Sequence, residues 1–179
     1  MALSSKASKT RTIRLNQDND DVIQREADRA GMTTNALINK IILQYVETLR
    51  FYEYGKMISM STETFMTFIE RMSVEEIEEM AYGLGDLKAQ ESLLRRGLDV
   101  DYENILDYIS RLLGEYNGWF RCDCVQDKVS DSIHLSHPFD KKWSHFIANY
   151  ISSIFREVLG LKVNLVILEH AVNFKVTQN

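Results

Sequence analysis

The sequence predicts an α+β protein in which a short strand and two helices come first, a helical stretch follows, and an antiparallel sheet packed with helices closes the chain. Three observations predict it. Residues 10–15 alternate with period two. Residues 17–116 carry apolar side chains mostly at helical spacing, and residues 119–176 return to short alternating runs around one amphipathic helix. The boundaries that follow are a flexible basic arm over 1–9, a strand–helix–helix unit over 10–50, a helical connector over 51–100, and an α+β sensing or oligomerisation domain over 101–179.

Thr10-Arg11-Thr12-Ile13-Arg14-Leu15 places Ile13 and Leu15 on one side and Thr10, Thr12 and Arg14 on the other, the pattern of a half-buried strand. Asn16 to Asp21 is polar and acidic, which suits a helix N-terminus. The helix it opens carries Val22, Ile23, Ala27 and Ala30 and should stop at Gly31. Thr33 or Thr34 can cap a second helix with Leu37, Ile38, Ile41, Ile42, Tyr45, Val46 and Leu49 along one side. One strand and two helices cannot enclose seven large apolar residues, and a lone strand leaves both edges unpaired, so a second copy is expected to complete this unit.

Further on, Phe65, Phe68, Ile69 and Met72 share a helical face. Ser73-Val74-Glu75-Glu76 has the form of a capping box, opening a helix expected to bend near Gly83 and Gly85 and to end by Gly97. Asp101 can cap a segment with Ile105, Leu106, Ile109, Leu112 and Leu113. Trp119–Val125 and Ser132–Ser136 read as strands, Lys141–Leu159 as an amphipathic helix, and Val163–Leu168 and Val172–Val176 as strand-like. The order is that of an α-β-β-α-β sandwich.

Composition excludes some classes. The chain has 179 residues, 45% hydrophobic and 26% charged, an ordinary globular balance. No apolar run reaches the ~18 residues of a membrane span, and no apolar core follows the basic N-terminus, so a cytoplasmic protein without membrane contact is expected. The two cysteines suit a reducing compartment. The net charge is −5 but uneven: residues 1–50 carry +2 and residues 51–179 carry −7, with Lys6, Lys9, Arg11 and Arg14 concentrated at the start. Such a distribution suits a small, localised nucleic-acid footprint.

Thr10 to about Glu47, with its alternating strand, acidic helix entry, Gly31 turn and Thr33-Thr34-Asn35 opening an apolar helix, resembles the ribbon-helix-helix superfamily of Arc-, MetJ- and CopG-like DNA-binding regulators. The resemblance covers about a quarter of the chain. It implies a swapped two-stranded ribbon in a homodimer, able to pair into a tetramer, that reads the major groove of double-stranded DNA as a transcriptional repressor. Thr10, Thr12 and Arg14 would then meet base edges, where arginine bonds guanine bidentately and threonine offers a hydroxyl and a methyl. The N-terminus of the second helix at Thr33, Thr34 and Asn35 would hold a phosphate, with Lys6, Lys9 and Arg11 adding backbone contacts. An antitoxin-like interaction module with secondary DNA binding, and an architectural DNA binder, are the alternatives.

The resemblance leaves some 130 residues unassigned. A nickel-responsive regulator of the same superfamily carries a C-terminal metal-sensing domain, which makes Cys122, Cys124, His134 and His137 candidate ligands, with His145 and His170 nearby in sequence. Their spacing matches no metal pattern, and cysteines on strands are more often core residues. No cofactor is expected. The sequence holds no glycine-rich phosphate loop, nucleophile motif or His-Glu-x-x-His, so no enzyme activity is expected; Glu75/Glu76 and Glu78/Glu79 read as a solvated helix face, and Trp119, Phe120 and Trp143 as core.

Overall fold

The computed structural model describes residues 9–55, 60–127 and 130–177. The chain divides into two compact units, Met1–Arg50 and Phe51–Asn179.

The first unit is helical. α1 (Gln17–Arg29) starts where the Asn16 side chain accepts a hydrogen bond from the Asn19 amide at 2.9 Å, and Asp18 and Asp20 in its first turn complement the helix dipole. Gly31, at a φ of 64°, turns the chain. α2 (Thr34–Gln44) is capped by Thr33 and followed by a π-helical stretch, Tyr45–Leu49.

The expected strand at Thr10–Leu15 is not there. Residues 9–16 are irregular and, apart from half-buried Leu15, exposed. The physical reason is the absence of a ladder partner: all strands among the described residues come from 121–177 and pair with one another. Alternation alone does not hold six residues in a strand when water satisfies their amides equally well. The ribbon of the ribbon-helix-helix reading is therefore corrected to an open, solvated segment.

α3 (Arg50–Gly55) starts on the last residue of the first unit, and the second unit continues with α4 (Thr62–Arg71), α5 (Val74–Arg95) and α6 (Tyr102–Asp107), which runs into a π-helical stretch, Tyr108–Tyr116. β1 (Arg121–Val125) and β2 (Ser130–Ser136) follow, then α7 (Lys141–Ser153) with its π-helical continuation Ile154–Val158, then β3 (Lys162–Ile167) and β4 (Ala171–Thr177). The strands form one antiparallel sheet in the order β1-β2-β4-β3. The α+β class and the sheet with helices on it are as expected, with one more strand than the α-β-β-α-β order.

Alternation fixes the faces of the sheet. In β2, Ile133 and Leu135 are buried while Ser132 and His134 are exposed, and Ile133 stands opposite Phe174 of β4. The apolar row faces α7, which is buried along most of its circumference by Trp143, Phe146, Ile147, Tyr150, Ile151, Ile154 and Phe155. α7 lies between the sheet and α5, so the unit has three layers with α7 in the middle.

α5 reaches α7 through small residues. Ile77, Ala81, Gly85, Ala89 and Leu93 recur every fourth position and are buried. A Cβ on Gly85 would lie 2.1 Å from the Tyr150 carbonyl oxygen and 2.3 Å from Ser153 Oγ. The sequence suggests a bend near Gly83 and Gly85; instead α5 is one helix, and Gly85 is the point of closest approach. The Ser73 capping box is formed, with the Glu76 amide donating to Ser73 Oγ at 3.2 Å and the Ser73 amide to the Glu76 carboxylate at 2.7 Å.

Several buried polar groups inside this unit are matched, while His137 Nδ1 and Ser152 Oγ are buried without a hydrogen-bond partner. The hydroxyls of Tyr108 and Tyr150 meet at 3.0 Å. Asp131, 1% exposed, accepts from the Tyr102 hydroxyl at 2.5 Å and from the Asp127 amide at 3.2 Å. Among the described residues no helix is long and apolar enough to cross a membrane.

Candidate functional site

The residues expected to read DNA lie outside any strand among the described residues. Lys6 lies outside the described residues. Lys9, Thr10, Arg11, Thr12 and Arg14 are exposed along the irregular segment, without a strand to aim alternate side chains together. Thr33 is the N-cap of α2, its Oγ1 accepting from the Ala36 amide at 3.2 Å. Thr34 Oγ1 donates to Gln24 Oε1 at 2.5 Å, tying α2 to α1, and Asn35 is exposed in the first turn. These threonines thus serve the helix hairpin.

The notable surface of the first unit is the far half of α2 and its π-helical extension. Ile41, Ile42, Leu43, Tyr45, Val46 and Leu49 are between 41% and 52% exposed. The buried side chains among the described residues of this unit are Ala27 and Thr48. A π-turn inserts one extra residue into the helical ladder and turns the residues after it. Ile42 before it and Val46 and Leu49 within it are all exposed. Covering the exposed halves of six such side chains would stabilise a contact by about 1 kcal/mol each.

In the second unit the candidate metal ligands separate. Cys122 and Cys124 stand opposite Leu135 and Ile133 on the helix-facing side of the sheet. His134 stands opposite Asp123 on the other side, its Nδ1 donating to Asn173 Oδ1 at 2.6 Å. His137 is buried past the end of β2. His145 Nδ1 meets Glu78 Oε1 at 2.7 Å, and His170 Nδ1 donates to the Phe139 carbonyl at 2.6 Å. Among the described residues no three His, Cys, Asp or Glu side chains could hold a metal together. Burial above all, with Cys124 and Asp123 beside it, pushes the Cys122 thiol up to about 11, so it is protonated at neutral pH and a poor nucleophile.

Sequence reasoning missed the role of His137. This ring is 6% exposed and stacks on Phe139. Its Nε2 lies 2.9 Å from Ser144 Oγ, which also lies 3.3 Å from the Glu169 carbonyl. Both contacts are met when Nε2–H donates to Ser144 and the serine hydroxyl donates to Glu169. The His137 amide in turn donates to the His170 carbonyl at 3.0 Å. The cluster pins the β3–β4 turn to the start of α7.

Burial first, and then the neighbouring His170, pull the His137 pKa down to about 4, against the raising influence of Asp140. The folded protein therefore favours the neutral ring. The stability this confers is complete above the ordinary pKa of 6.5 and is lost as pH falls towards about 4. Urea unfolding at pH 7 and pH 4 should show a loss from this residue of about 2–3 kcal/mol. His137→Gln, which cannot titrate, should lose less between the two pH values. An equal loss in both proteins would remove His137 as the cause.

No family model and no curated protein matches this sequence. Among solved structures, the chain is similar to the crystal structure of a trafficking protein particle complex subunit 3 from Naegleria fowleri covalently bound to palmitic acid. The identity is 14%, the TM-score 0.41, and the likeness covers 79% of this chain and 96% of that one. That protein is a subunit of a trafficking protein particle complex. At this level the likeness carries no argument about what this chain does.

The expectation of a dimeric repressor on double-stranded DNA, resting on the ribbon-helix-helix resemblance, is corrected. Its base-reading element is not formed among the described residues.

Proposed function

We propose that this protein is an assembly subunit that acts by docking a protein partner against α2, without catalysing a reaction. One observation carries the proposal: a helical hairpin exposes six large apolar side chains within nine residues while enclosing almost none of its own. Contiguous exposed apolar surface of this kind marks interaction sites. The adjoining unit has a closed core and a set of histidines engaged in structural hydrogen bonds, which suits a scaffold better than a reaction site. The two free thiols suit a reducing compartment, and the cytoplasm is the proposed location.

Photo-crosslinking tests this. A benzophenone amino acid at Ile42, in the chain expressed at its native level in its own host, should give one adduct of defined mass with another protein. The same probe at the exposed Arg25 of α1 should not. Ile42→Glu with Val46→Glu should abolish co-purification of that protein, while changing the stability of the chain by no more than about 0.5 kcal/mol, as expected for exposed positions. Adducts of equal yield from both probe positions, or none from Ile42, would sink the proposal.

A further inference from the structure

A second apolar stripe lies on α5, opposite the face that packs on α7. Leu84, Leu87, Glu91 and Leu94 follow one another at steps of three, four and three residues. Leu84 is 37% exposed, Leu87 58% and Leu94 67%. The core-facing stripe of the same helix advances by four at every step, from Ile77 to Leu93, so the two stripes serve different neighbours. Alternation of three and four is the spacing of a seam that receives another helix lying alongside at a shallow angle.

We infer that this stripe is the docking seam for an amphipathic helix of another protein, one with apolar residues at the same spacing and a basic or amide side chain facing Glu91. The inference rests on the reading of the chain as an assembly subunit, but on a different helix. Charge decides the occupant. Lys88 and Arg95 line one edge of the seam, and Glu79 and Asp86 lie beyond the other. Glu91 sits in the seam itself, bridged to Lys88 at 3.0 Å and paired with Arg95. A second copy of α5 running parallel would set Glu91 against Glu91. A copy running antiparallel would set Lys88 and Arg95 against their own counterparts. Both arrangements bring like charges together at close range, which is unfavourable. A foreign helix with glutamates along one edge, lysines along the other and a lysine opposite Glu91 meets neither obstacle.

The test uses the full-length chain and a fluorescein-labelled synthetic helix of that composition, with leucines at the seam positions. Fluorescence anisotropy should show saturable binding with Kd of about 10–50 μM, weakened at least about tenfold by Leu87→Glu and by Leu94→Glu, a difference of about 1.4 kcal/mol. Circular dichroism of these variants should match the parent, since both positions are exposed. Ile42→Glu should leave peptide binding unchanged, so that loss of the α2 contact and loss of the α5 contact are read separately. The inference is overturned if no saturable binding occurs below about 100 μM, or if Leu87→Glu binds as the parent does. It is also overturned if sedimentation shows the chain pairing with itself through a contact that Leu87→Glu removes.

Discussion

Gly85→Ala should destabilise the protein by about 3 kcal/mol or prevent its folding, even though alanine is the better helix former. In an open helical position the exchange would gain about 1 kcal/mol through backbone entropy. At Gly85 the new methyl would sit 2.1 Å from the Tyr150 carbonyl oxygen and 2.3 Å from Ser153 Oγ. The first is backbone in the middle of the buried α7, so relief requires the two helices to part. Separation would loosen the contacts of Ala81, Ala89 and Leu93 as well, since all belong to the same stripe. Overpacking of this kind usually costs about 1–3 kcal/mol, more when backbone must move. Gly83 supplies the control, because a Cβ there meets nothing within 4 Å. Gly83→Ala should stabilise by about 0.5–1 kcal/mol. Urea unfolding followed by tryptophan fluorescence measures both. Equal effects at the two glycines would show that α5 and α7 do not meet at Gly85.

Trp143→Ala should cost about 3–5 kcal/mol. Trp143 is 4% exposed, and its ring contacts Phe65, Trp119, Phe139 and Phe146 at centroid distances of 5.5, 5.6, 5.8 and 4.8 Å. It joins α4, the segment before β1, the loop after β2 and its own helix, so the cavity left behind opens onto four parts of the chain. Its indole N–H also donates to the Trp119 carbonyl at 3.0 Å, a bond that closes the segment leading into β1. Trp143→Phe keeps most of the apolar volume and deletes that donor, leaving a half-buried carbonyl without its partner at about 1 kcal/mol. The alanine variant should therefore unfold at lower urea than the phenylalanine variant. The reverse order would place the stabilisation in the hydrogen bond and not in the packing.

The second unit was largely legible because its signals are periodic and self-contained. Ser130–Ser136 alternates cleanly since one face meets α7 and the other water, and the seven large apolar residues of α7 recur at helical spacing. The Ser73–Glu76 box depends on four adjacent residues and needs no tertiary context. The glycines of α5 misled for the opposite reason: a glycine that bends a helix and one that admits a neighbouring helix look alike until the neighbour is placed.

Thr10–Leu15 misled because a strand is a relation between two segments. Its alternation specifies which side chains would share a face, and says nothing of what would pair with it. His137 was invisible for a related reason. Its partners, Ser144 and Glu169, come together only when β2, α7 and the β3–β4 turn are assembled. The α2 stripe was legible as apolar, whereas its exposure was not, because burial depends on what the fold supplies to cover it.

Amide hydrogen exchange, compared between the purified chain and the chain recovered with its native partner, tests the docking role of α2 most directly. In the purified chain, residues 37–49 should exchange far faster than residues 143–155 of α7, because little apolar contact holds the hairpin closed. In the recovered complex, protection over residues 37–49 should rise by at least about tenfold, while that of residues 143–155 stays as it was. Residues 37–49 as strongly protected as 143–155 in the isolated chain, with no change on recovery of a partner, would contradict the assembly role assigned to this helix.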